Sequence, residues 1–95
     1  MDWKYEKGRI YSLSEDNKLM AEATYRITGA SEVNIDHTFV NPSMRGQGVA
    51  GKMMELVADH LRENSLKTVA SCSYANNWLK KHRETYSDII SEDFR

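Results

Sequence analysis

The chain has 95 residues, which bounds it to one domain spanning 1–95. Its formal charge is −1 with acids and bases interspersed, which excludes a nucleic-acid binder that relies on a strong basic field. The single cysteine excludes an internal disulfide and fits a reducing, cytoplasmic setting, and no apolar run is long enough for a signal peptide or a membrane span.

Met1 to Gly8 is polar and aromatic and supplies at most a short edge strand through Trp3 and Tyr5. Arg9 to Ser14 reads as a strand with Tyr11 and Leu13 on one face, and Glu15 to Lys18 has the composition of a hairpin turn. Leu19 to Ile27 alternates, with Leu19, Ala21, Ala23, Tyr25 and Ile27 on one face, as a half-buried strand does. After a turn at Thr28 to Ser31, Val33 to Val40 alternates again and places Val33, Ile35, His37 and Phe39 together. Short turns join these strands, so an antiparallel meander is expected.

Pro42 stops the last of them, because proline cannot donate to a ladder. Val49 to Asn64 then carries Val49, Met53, Leu56, Val57 and Leu61 on one helical stripe. Lys67 to Tyr74 is small and β-branched and reads as a further strand. It follows a crossover helix, so it should lie parallel to Val33–Val40. Asn76 to about Arg83 reads as a second helix with Asn76 as its N-cap, and the tail from Ser87 to Arg95 is left open. The expected fold class is α+β: a mixed sheet with an antiparallel N-terminal meander, then a βαβ step and a C-terminal helix.

Between the strand and the long helix lies Arg45-Gly46-Gln47-Gly48-Val49-Ala50-Gly51. Glycines let a ligand approach the backbone, and a helix start offers unpaired N–H groups and the positive end of its dipole. The combination is a ready anion site, most often for phosphate. Its spacing is neither that of a dinucleotide fingerprint nor that of a P-loop.

The arrangement resembles the acetyl-CoA pyrophosphate loop of the GNAT acetyltransferase superfamily, R/Q-x-x-G-x-G/A, carried by Arg45, Gly48 and Ala50. Further along, Ile35-Asp36-His37-Thr38, Ser71-Cys72-Ser73-Tyr74 and Lys81-His82-Arg83-Glu84-Thr85-Tyr86 are similar to motifs of a short single-domain branch of that superfamily. The chain departs from the branch at Phe39, where an acid is common, and at Ser73 and Arg83, where proline is common. It also has no length for the helical pair that usually borders the acceptor pocket.

The resemblance implies acetyl-CoA as cosubstrate and an unidentified amine as acceptor. It places Thr38, Val40, Arg45, Gly46, Gln47, Gly48, Val49, Ala50, Tyr74 and Asn77 on the coenzyme. Acetyl transfer then has two routes. An amine attacks directly while His37 takes the proton, or Cys72 takes the acetyl group first as a thiolate that His37 or the helix start near Asn76 activates. His37 and Cys72 are the candidate catalytic residues, and each also has a bland alternative as a buried packing residue. No His/Cys cluster has metal-ligand spacing. The competing readings are a module that holds acyl-CoA without turnover and an interaction domain without a ligand. Monomer or weak homodimer is expected, without nucleic-acid or membrane partners.

Overall fold

A computed structural model describes all of residues 1–95. The strands are Lys4–Glu6 (β1), Arg9–Leu13 (β2), Leu19–Gly29 (β3), Glu32–Val40 (β4) and Lys67–Ala70 (β5). The helices are Val49–Glu63 (α1), Ser73–Lys81 (α2) and the single turn Arg83–Tyr86 (α3). The strands form one sheet in sequence order; β1 to β4 pair antiparallel and β5 pairs parallel to β4. This is the α+β mixed sheet that the patterning predicts.

One cluster of 18 buried residues makes the core. The sheet contributes Ile10, Ala21, Ala23, Val33 and Ile35, and α1 lays Met53, Met54, Val57, Ala58 and Leu61 over them. The small side chains of β3 let the helix sit close to the sheet. Fully burying a side chain such as Met53 or Leu61 contributes about 1.5–3 kcal/mol, so this stripe holds α1 in place. Ala75 and Leu79 bring α2 into the same cluster.

A β-bulge in β4 corrects the expected face assignment. Thr24 pairs with His37 but Tyr25 pairs with Ile35, so Asp36 is an extra residue. An extra residue reverses which face the following side chains take. Val33 and Ile35 face the core, and beyond the bulge Thr38 and Val40 are cross-strand partners of buried Ala23 and Ala21. His37 and Phe39 therefore lie with Thr24 and Glu22 on the opposite face, not with Val33 and Ile35. Ile27 is also not buried, because β3 runs past the end of the core and leaves it 67% exposed.

β5 is shorter than expected. Pairing with β4 covers Glu32 to Ile35 and stops at the bulge. The Asn34 side chain accepts the Ser71 N–H at 2.8 Å, and Cys72 becomes the N-cap of α2. Cys72, Ser73 and Tyr74 are thus not in the strand, and Asn76 is not a cap. Its side chain instead donates to the Ala70 carbonyl at 3.0 Å and pins the helix to the strand end.

The C-terminal tail docks. Ile90 bridges to Thr68, the Ser91 N–H donates to the Thr68 carbonyl at 3.0 Å, and Ile89 and Phe94 are buried. Arg62 of α1 grips Asp88 through two contacts at 2.6 and 2.8 Å. No helix is long and apolar enough to cross a membrane.

Candidate active site

The site is built where β4 hands over to α1. Asn41 ends the strand: its N–H donates to the Met20 carbonyl at 2.8 Å, and its side chain accepts from Ser43 to cap a 3₁₀ turn at Pro42–Met44. The chain then reverses through Gly46 and Gly48, at φ of +80° and +73°. That region favours glycine strongly, since other L-residues meet steric strain there. A Cβ built at either glycine meets nothing within 4 Å, so backbone conformation and not crowding is the reason for glycine.

Gly48 is the N-cap of α1, yet no side chain caps the helix, and its first turn holds no acid. The first-turn amides of Val49, Ala50 and Gly51 are left for an external acceptor, at the positive end of a 15-residue helix. They open on a groove of about 400 Å³ whose lining includes Thr38, Val40, Arg45, Gly46, Gly48, Val49, Ala50 and Tyr74. Arg45 adds a guanidinium suited to phosphate oxygens.

Beyond Ile35 the β4 edge has no partner on β5. An extended, amide-bearing chain could use those backbone groups as a strand would. Tyr74 stands at the groove in the first turn of α2, and burial pushes its phenol above the ordinary value, so it remains a hydrogen-bond donor at neutral pH.

Two expected contacts are not in the groove. Asn77 is exposed on α2, and the Gln47 side chain turns back to the Ser43 carbonyl. Conversely, Phe39, Met44, Gly51 and Met53 line the groove and were not anticipated. Gly51 was the accessible signal, a third glycine one residue into the helix. Met53 reads from sequence only as core, because its spacing is that of the buried stripe.

The structure separates the two expected catalytic residues. Cys72 sits where β5 leaves β4, its N–H donating to the Ile35 carbonyl at 3.2 Å and its Sγ lying 3.3 Å from Thr38 Oγ1. His37 is on the other face of β4, where its Nε2 lies 3.4 Å from Glu22 Oε1. The pairing of His37 with Cys72 is therefore corrected: the bulge at Asp36 gives the cysteine a threonine hydroxyl for a neighbour instead of an imidazole. His82 packs structurally, stacked on Trp78 at 4.2 Å, and half-buried His60 lies beside the Tyr5 and Tyr25 rings at 5.3 and 6.4 Å.

Comparison with known proteins agrees with this geometry. The GCN5-related N-acetyl-transferase family profile matches residues 10–89. The solution structure of a GCN5-like candidate N-acetyltransferase from Staphylococcus aureus superposes with a TM-score of 0.79 at 40% identity, over 95% of this chain and 87% of that one. Tetrahymena GCN5 and the Escherichia coli ribosomal-protein-S18-alanine N-acetyltransferase share the fold, with TM-scores of 0.63 and 0.62 at 14% and 15% identity. This chain covers only 48% and 49% of those two. Protein NATD1 of Xenopus tropicalis is 29% identical over 58 residues, a match that spans 61% of this chain and about half, 53%, of that protein. With the profile covering most of its length, the chain belongs to the GCN5-related N-acetyltransferase family, whose members use acetyl-CoA.

Proposed function

We propose that this domain transfers the acetyl group of acetyl-CoA to a primary amine by direct attack, without a covalent intermediate on Cys72. One observation carries the reading: the uncapped start of α1, hinged on two glycines at positive φ, opens on the same groove as the unpaired edge of β4. The amides of Val49, Ala50 and Gly51 and the Arg45 guanidinium match a diphosphate in charge and hydrogen-bonding character. The free backbone groups of Thr38 to Val40 hold the pantetheine arm and lead the thioester toward the point where β4 and β5 part. Tyr74 lies beside that path and donates to the departing sulfur. When bound, the coenzyme supplies an acetyl group activated as a thioester.

Direct attack is favoured over the Cys72 route because the sulfur meets the Thr38 hydroxyl while His37 lies on the opposite face of β4, which leaves the N-terminus of α2, where Cys72 is the N-cap, to activate the thiol by itself. The acceptor is an amine of unidentified parent; we place the reaction in the cytoplasm, in a monomer or weak homodimer, with neither nucleic acid nor membrane as partner.

The test is a titration of the ¹⁵N-labelled protein with acetyl-CoA, followed by a thiol-release assay over a panel of amines. Shifts centred on Gly46, Gly48, Val49 and Ala50 and turnover with at least one amine are expected. Unmoved loop amides at saturation sink the reading. Binding without release of CoA for any amine favours a module that holds acyl-CoA without chemistry. Intact mass after incubation with acetyl-CoA should show no acetyl on Cys72.

A further inference from the structure

A second cavity lies at the far end of α1 from the groove and shares no residue with it. It holds about 640 Å³, inside the range of about 300–1,000 Å³ usual for small-molecule sites. Tyr5, Tyr25 and Ile27 form its floor. They are the cross-strand partners of buried Ile10, Ile35 and Val33, so they lie on the sheet face that α1 covers. The helix stops at Glu63 and leaves Tyr5 48% and Ile27 67% exposed. His60, in the last turn of α1, closes one side. Its ring lies 5.3 Å from that of Tyr5 and 6.4 Å from that of Tyr25, so the three rings make one continuous wall.

The charges around this wall are unbalanced. Glu6, Lys7 and Arg26 also line the cavity. The Glu6 carboxylate is already engaged: it accepts from the Tyr11 hydroxyl at 2.7 Å and lies 3.7 Å from Arg9. Lys7 and Arg26 are exposed and enter no ion pair. The turn that carries Lys7 is fixed by Gly8, which sits at φ +75° with its carbonyl accepting the Tyr25 N–H at 2.9 Å. At the helix end, the His60 and Leu61 carbonyls accept from the Asn64 N–H at 3.2 Å each, so the negative pole of α1 is already met. A wall of rings favours a ligand that is itself flat and aromatic, and two unpaired cations beside it favour an anion.

We propose that this cavity binds a small planar aromatic carboxylate, its ring against Tyr5 and His60 and its carboxylate toward Lys7 and Arg26. With no residue shared between cavity and groove, the proposal does not rest on the coenzyme reading.

The test is a titration of the ¹⁵N-labelled full chain with indole-3-carboxylate, indole and cyclohexanecarboxylate in turn. Indole-3-carboxylate should give saturable shifts centred on the amides of Lys7, Gly8, Ile27 and Asn64, with Gly46 and Gly48 unmoved. Indole lacks the charge and should bind about threefold more weakly, and cyclohexanecarboxylate lacks the flat ring and should bind about fivefold more weakly. Tyr5 is on the exposed edge strand, so Tyr5→Ala should keep the parent fold, which its spectrum checks. That variant should weaken indole-3-carboxylate about fivefold, while Tyr5→Phe keeps Kd within about twofold. Lys7→Gln should bring indole-3-carboxylate toward the affinity of indole. Saturating acetyl-CoA should leave its Kd within about twofold. The proposal is overturned by no saturable shift at these amides up to about 10 mM, by equal affinity for the three probes, or by an unchanged Kd in Tyr5→Ala or Lys7→Gln. Competition with acetyl-CoA overturns it as well, since the acid would then sit in the groove. A chain that ignores acetyl-CoA and still binds the acid keeps this site and refutes only the coenzyme reading.

Discussion

At the scale of single residues, the loop shows how a backbone requirement becomes a binding site. Gly48 is at φ +73° and serves as a helix cap that has no capping side chain. Gly48→Ala costs about 1 kcal/mol of strain, because the left-handed region penalises a Cβ. In a domain of this size that lowers Tm by about 4–8 °C. Calorimetry checks the stability, and a coenzyme titration should show weaker binding as the first-turn amides lose their alignment. Cys72 makes the opposite case: Cys72→Ala should keep turnover within about threefold of the parent, because direct attack asks nothing of its sulfur. A loss of several orders of magnitude, measured by CoA release, would favour the covalent route.

Among the elements, β4 and the docked tail decide the most. Asp36 is one residue too many for the ladder, and everything after it changes face. Deleting Asp36 should straighten the ladder and leave every later side chain on its present face, because the pairs Tyr25–Ile35 and Thr24–His37 then become consecutive. Backbone NMR should then show changes concentrated on β3 and β4 around the deletion, with the α1 signals largely retained; a wholesale displacement of α1 would contradict this reading of the bulge.

The tail is held partly by charge. The Arg62 guanidinium keeps Asp88 below the usual carboxylate range, and hydroxyl donors from Ser91 and then Thr28 do the same for Glu32. A carboxyl group lowered in the folded state stabilises fully above its unfolded value of about 4 and loses that contribution as pH falls through its lower folded value. Acid should therefore loosen the tail. Hydrogen exchange at Ser91 and Phe94, whose amides donate to Thr68 and Ser91, should quicken below about pH 4 relative to α1 amides, after correction for intrinsic rates. Asp88→Asn should exchange faster at neutral pH already.

For the whole molecule, a sheet with helices on one face only leaves limited core, and a ligand is a large addition to the stability. Acetyl-CoA at about 100 times its Kd should add roughly 2.7 kcal/mol, a rise of roughly 10–20 °C in Tm. A thermal scan that does not move at that concentration contradicts the site.

The sequence by itself determined the element order, the glycine hinge, most of the groove lining and the family, since these rest on local periodicity, local backbone demands and contiguous motifs. Only the tertiary structure decided which face His37 occupies, where β5 stops, what Asn76 binds and where the tail lies. A bulge exists only between two paired strands, and Asp36 is surplus only against the register of β3. Cys72 leaves the strand because its bond to the Ile35 carbonyl is the last one the ladder with β4 supplies before the bulge. Such facts depend on residues far apart in the chain meeting in one ladder, and no window along a single strand contains them.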